Sequence, residues 1–216
     1  MSDSNLHGRA GELRRRGDFG AAGDEYTLRA YQQLGNVSLE GALGPLGSLY
    51  YLFYAAGCYR LANAMGRCRN RCEQGFLIVE DLRENIAPRG QPDFENAVPA
   101  YTGIAHEYAA DFRLLGDLGG HDDRYEQAFE QYEIVEAASN LSQIIAWNHE
   151  PGFHETIQYV LFGTAEAVGE PVPEPIKKDM TLSLTGRIEY KRRRFPELLD
   201  SLFEQESWIW ENDDGD

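Results

Sequence analysis

Lysine is nearly missing from this chain: only Lys177, Lys178 and Lys191 occur among 216 residues, against 17 Arg and 36 Asp plus Glu. The net charge is −16 at pH 7. A surface of that sign repels itself in dilute buffer, but molar salt shortens the screening length to about 3 Å. Acid excess without lysine therefore suits a cytoplasm of molar salt, that of a salt-in halophile. The same balance disfavours a general binder of nucleic acid or of an anionic membrane, because both select cations. No apolar run reaches the length of about 18 residues that a spanning helix needs, and Met1-Ser-Asp-Ser-Asn5 lacks the charged-then-apolar layout of a secretion signal. The expected location is the cytoplasm.

Cysteine is also sparse. Cys58, Cys68 and Cys72 are an odd set that builds no disulfide framework, so reduced thiols are expected. Catalytic signatures are missing too: no Gly-x-Gly-x-x-Gly follows a strand, and there is neither a phosphate loop nor a Gly-x-Ser-x-Gly elbow. Acidic pairs occur throughout such a composition and so do not single out general acid–base chemistry. The expectation is a protein that is not an enzyme and carries no cofactor.

What the chain does have is helical periodicity, with 42% hydrophobic residues, enough for one substantial core. Ala10 and Leu13, the Gly17-Asp18-Phe19 turn, then Ala22, Tyr26 and Ala30 predict a first helical hairpin. A Gly-rich break with Pro45 covers residues 35–48. Leu49, Phe53, Tyr54, Gly57 and Leu61, followed by Cys68, Cys72, Gly75, Val79, Leu82 and Ile86, predict a second. Three prolines make Ala87 to Pro99 a loop, long enough to be functional. Tyr101, Ala105, Tyr108, Phe112 and Leu115 form the next stripe. Its partner carries Tyr125, Ala128, Tyr132 and Val135, with Asp122 or Asp123 as the N-cap. Further helices are expected from Leu141 and from Pro151 to about Gly169. The body thus spans residues 1–169. Glu170-Pro-Val-Pro-Glu-Pro175 reads as a spacer opening a tail over residues 170–216, with a short strand at Thr181–Thr185, an amphipathic helix at Pro196–Glu206 and an apolar Trp208-Ile-Trp210. That tail is expected to dock back on the helices.

The second hairpin resembles a tetratricopeptide repeat through Ala56 and Tyr59 on its first helix and the triad Cys68, Cys72 and Gly75 on its second. Its Ala-Gly-x-x-Tyr character is loosely similar to the helical layer of soluble NSF-attachment proteins. The first hairpin follows less closely, with Ala22 aligned to Cys68 at a spacing of 46 residues, longer than the usual period of about 34. The resemblance implies an all-α, tetratricopeptide-like solenoid of stacked antiparallel hairpins, closed by the small strand and helix tail. It also implies a scaffold or adaptor that binds a protein or peptide partner.

Arginine supplies the candidate site. Arg14, Arg15 and Arg16, then Arg60, Arg67, Arg69 and Arg71, then Arg113 lie on helices of an acidic chain. A planar guanidinium binds carboxylate bidentately, so Arg14, Arg60 and Arg113 are expected to line one concave face and hold a partner's acidic segment or C-terminal carboxylate, with His106 beside them. The alternative is internal pairing with the many Asp and Glu. Lys191-Arg192-Arg193-Arg194, between Tyr190 and Phe195, is the one basic run. It supports a second reading, a nucleic-acid-associated regulator, or else an internal clamp onto acidic helices. His149 and His154 flank Pro151-Gly152, but their spacing matches no metal motif; no metal is expected.

Overall fold

The computed structural model describes residues 4–35, 43–86, 97–138, 154–171 and 184–205. All regular structure among them is helical: α1 (Ser4–Arg15), α2 (Phe19–Gly35), α3 (Leu43–Leu61), α4 (Met65–Asp81) with a π-helical turn at Leu82–Ile86, α5 (Ala97–Leu115), α6 (His121–Ala138), α7 (His154–Ala167) and α8 (Leu184–Glu204). Short turns join α1 to α2, α3 to α4 and α5 to α6, and each pair packs as a hairpin. Pro45 and Pro99 fall in the first turns of α3 and α5, where a missing N–H costs little. The helices therefore begin earlier than a reading of those prolines as loop residues expects. Asp122 and Asp123 sit inside the first turn of α6 rather than before it, where their charge still opposes the helix dipole favourably.

One device ends four of the helices. Gly17, Asn63, Asp117 and Gly169 take left-handed conformations, with φ of 74°, 55°, 53° and 72°. Each donates back into the last turn, as Gly17 to the Arg14 carbonyl at 2.9 Å and Asn63 to that of Arg60 at 3.0 Å. The following residue closes the outer bond, Asp18 to Leu13 at 2.9 Å and Ala64 to Tyr59 at 2.8 Å. These caps recur at intervals of 46, 54 and 52 residues. The repeat is thus written in helix stops as much as in apolar stripes.

Hairpins meet through notches. A Cβ on Gly23 of α2 would lie 2.7 Å from Tyr59 of α3, and one on Gly75 of α4 would lie 2.5 Å from Phe112 of α5. Both glycines sit on the second helix of one hairpin and receive an aromatic ring from the first helix of the next. Gly75 is buried, as the triad requires, but the close contact is with the following hairpin and not with α3. Cys58, Cys68 and Cys72 are buried free thiols, with Cys68 Sγ 3.6 Å from the Leu115 carbonyl.

The tail differs most from expectation. Thr181 to Ser183 lie outside the described residues, but Leu184 and Thr185 open a helix instead of continuing a strand. The cause is Glu136 of α6. Its carboxylate accepts the Leu184 amide at 2.5 Å and the Thr185 hydroxyl at 2.7 Å, an N-terminal cap supplied from another helix. Helix α8 then runs through Pro196 to Glu204, where sequence reading starts a helix only at the proline. It buries Leu184, Ile188, Phe195, Leu198, Leu199 and Leu202 and packs on α5, α6 and α7, with Phe195 stacked 6.3 Å from Phe53 of α3. The helix expected from Leu141, most of the 87–99 loop and Trp208-Ile-Trp210 lie outside the described residues.

Candidate functional site

A helix C-terminus leaves carbonyls without intrahelical donors and carries partial negative charge. At the end of α5 three arginines answer both demands. Arg60, from the last turn of α3, donates Nη1 to the Leu115 carbonyl at 2.8 Å and to that of Leu114 at 3.3 Å. Arg69 of α4 donates Nε to the Gly116 carbonyl at 3.2 Å, and Arg113 of α5 donates Nη1 to that of Gly119 at 3.0 Å. Three cations thus meet at one turn.

Aromatic rings lie against two of them. The Arg60 guanidinium carbon lies 4.2 Å from the Phe203 ring centroid of α8, and that of Arg113 lies 5.4 Å from Phe76. Among the described residues none of the three meets a carboxylate, whereas Arg67 pairs with Asp24, Arg83 with Glu80, and Arg192 with Glu126. Each guanidinium carries five N–H donors, so most remain free; the buried Nε of Arg113 has no hydrogen-bond partner. Beneath the turn, a hydrogen bond from Cys72, helped by Arg60 and Arg69, lowers the Cys68 thiol against its burial. Donating that bond to Cys68, together with burial, raises Cys72.

A second cluster of charge is closed. Between α5, α6 and α8, Arg187 grips Glu107 with Nε to Oε1 at 3.0 Å and an Nη2 to Oε2 bond at 2.7 Å. Lys191, one turn on, lies 2.9 Å from Glu107 and 2.6 Å from Asp111. Tyr132 donates to Glu107 at 2.8 Å and Tyr125 to Asp111 at 2.6 Å. All four charged side chains are wholly buried. Burial raises the Glu107 carboxyl, but Arg187 and Lys191 outweigh it and hold the group below its usual range. Burial and the Glu107 charge push Asp111 up in spite of Lys191.

The expected site residues therefore separate. Arg60 and Arg113 come together at the α5 turn and gain Arg69 as a third member. Arg14 is 2% exposed, inside the first hairpin, its guanidinium carbon 5.5 Å from the Tyr26 ring and 5.8 Å from that of Tyr54. His106 sits with Nδ1 3.2 Å from Arg124; burial first, then Arg124 and Arg83, push its imidazole down to about 4, so it is neutral at pH 7. The basic run divides by helical phase. Lys191 points into the core, Arg192 pairs with Glu126, Arg193 donates to the Glu189 carbonyl, and Arg194 bridges Glu170 and Glu197. Arg187, Glu107 and Asp111 escape sequence reading, since a charged residue on an apolar stripe counts as surface; Tyr125 and Tyr132 on the facing helix were the available signal.

No group of three or more His, Cys, Asp or Glu side chains is placed to hold a metal among the described residues. His149 lies outside them. No helix there is long and apolar enough to cross a membrane. No protein-family profile, curated protein or solved structure matches this chain.

Proposed function

We propose that this chain is a non-catalytic adaptor, a tetratricopeptide-like array of helical hairpins working in the cytoplasm of a salt-in halophile, that binds a protein or peptide partner through an acidic segment. Arg60, Arg69 and Arg113 hold that segment. The observation that carries the reading is their convergence on the α5 turn without a carboxylate partner among the described residues, in a chain where acids outnumber bases by 36 to 20. Carbonyl bonds and ring contacts fix the guanidinium planes in advance, which reduces the entropy lost when a carboxylate arrives.

The test is titration of a fluorescein-labelled octa-glutamate peptide, with octa-glutamine as control, into the wild-type chain and into Arg60→Ala/Arg69→Ala/Arg113→Ala. The wild type binds octa-glutamate and not octa-glutamine, and the triple variant binds at least about tenfold more weakly, the equivalent of about 1.4 kcal/mol. Equal binding by both proteins removes the site. Pull-downs with the same pair in molar potassium chloride then search for the natural partner.

A further inference from the structure

Two thiols lie one helical turn apart under the end of α5. Cys68 and Cys72 are both buried on α4 at positions i and i+4, which sets their Cα atoms about 6 Å apart, inside the roughly 4.4–6.8 Å that a disulfide spans. Both also meet the same stretch of the turn. Cys68 Sγ lies 3.6 Å from the Leu115 carbonyl, and a Cβ on Gly116 would stand 3.2 Å from Cys72 Sγ, so Gly116 puts no side chain over that sulfur. Cys72 donates its S–H to Cys68, and the two sulfurs therefore already face each other. That bond first, and the charges of Arg60 and Arg69 with it, favour the thiolate of Cys68 against its burial. Cys58 on α3 is the contrast: burial pushes its thiol up to about 12, which leaves it a poor nucleophile at neutral pH.

We propose that Cys68 and Cys72 are a peroxide-reactive dithiol that closes reversibly into a disulfide across one turn of α4. The Cys68 thiolate attacks one oxygen of hydrogen peroxide; the S–O bond forms, the O–O bond breaks, and the leaving hydroxide takes up the proton that Cys68 gave off. Cys72 then attacks the sulfur of that sulfenic acid. The S–S bond forms as the S–O bond breaks, and the hydroxyl leaves as water with the Cys72 proton. Two electrons thus pass from the dithiol to the peroxide, which ends as water. Cβ atoms so spaced on a helix are about 5–6 Å apart, wider than the roughly 3.5–4.5 Å of a relaxed bridge, so closure strains α4 and a thiol reductant reopens it readily. Closure also withdraws the Cys68 S–H from the Leu115 carbonyl and leaves that acceptor to Arg60, which already bonds it at 2.8 Å.

The experiment exposes the folded full chain to hydrogen peroxide, removes the excess with catalase, unfolds the protein in guanidinium with iodoacetamide and reads it by mass spectrometry. The wild type loses two of its three alkylatable thiols. Trypsin, cutting after Arg67, Arg69, Arg71 and Arg83, then releases Cys68–Arg69 joined to Cys72–Arg83. Dithiothreitol before alkylation restores all three thiols. In Cys72→Ser the sulfenic acid has no thiol to condense with, so dimedone labels Cys68, whereas Cys68→Ser gives no label on Cys72. Three alkylatable thiols after peroxide, a bridge that includes Cys58 or a second chain, or a bridge that forms only in unfolded protein overturns the proposal. Dimedone on Cys72 of Cys68→Ser and not on Cys68 of Cys72→Ser overturns the assigned order of attack.

Discussion

Cutting the buried ion cluster tests how α8 is held. Glu107 accepts two bonds from Arg187, one from Lys191 at 2.9 Å and one from Tyr132 at 2.8 Å. Glu107→Leu leaves two cations and one carboxylate in a site without water access, and Arg187→Met leaves two carboxylates and one cation. An uncompensated buried charge costs about 3–5 kcal/mol, or roughly 6–20 °C in Tm for a chain of this size. The double variant removes one charge of each sign and leaves the Lys191–Asp111 pair, 2.6 Å apart, intact. It is therefore expected to lose no more than either single variant, a coupling of at least about 3 kcal/mol. Urea unfolding at fixed potassium chloride, followed by helical circular dichroism, measures all four proteins without changing ionic strength. Additive losses, or single losses below about 1 kcal/mol, as for exposed ion pairs, would show that the four groups do not form one buried unit.

The remaining expectations concern packing, pH and salt. Gly75→Leu drives a side chain into Phe112, whose ring lies 2.5 Å from where a Cβ would stand, and should cost about 1–3 kcal/mol or more. Gly66→Ala on the same helix meets nothing within 4 Å and should gain about 0.5 kcal/mol, so equal Tm shifts for the two would break the register. For His106, held at about 4 against an ordinary 6.5, the unfolded chain binds the proton first, so this residue lowers stability as pH falls through that window. His106→Gln should accordingly gain Tm relative to the wild type between pH 7 and pH 4.5; a constant difference refutes the assignment. Tm should also rise from dilute to molar potassium chloride as the net charge of −16 is screened, and a flat profile would remove the halophile reading.

The hairpins were legible because their signals are local. Apolar stripes at three- and four-residue spacing gave the helices, and Gly17 gave the first stop. Asn63 and Asp117 serve as the same stop but carry no glycine flag, so the spacing of the repeat emerged only with the backbone angles. The start of the last helix is not legible because its determinant is non-local. Thr181 to Thr185 alternates as a strand does, but the start of α8 is decided by Glu136, 48 residues earlier in sequence than Leu184. Pro196 looked like a beginning, yet the burial of Phe195, Leu198 and Leu202 carries the helix across it. For the site, sequence identified Arg60 and Arg113 as cations on helix faces. It could not tell them from Arg14, because which guanidinium faces rings and which faces free carbonyls depends on how the hairpins stack.

The two charge clusters differ in how their charge is balanced. At the α5–α8 contact the charges cancel, two carboxylates against Arg187 and Lys191, and Tyr125 and Tyr132 complete the acceptors. A closed set of this kind fixes the register of α8, since sliding the helix by one residue would leave each buried charge without its partner. At the α5 turn the charges do not cancel: three cations share carbonyl dipoles, which attract them but neutralise nothing. Helix α8 joins the clusters, with Arg187 and Lys191 locked in the first and Phe203 under Arg60 at the second. Seating the helix in the neutral cluster therefore sets Phe203 against Arg60 at the positive one.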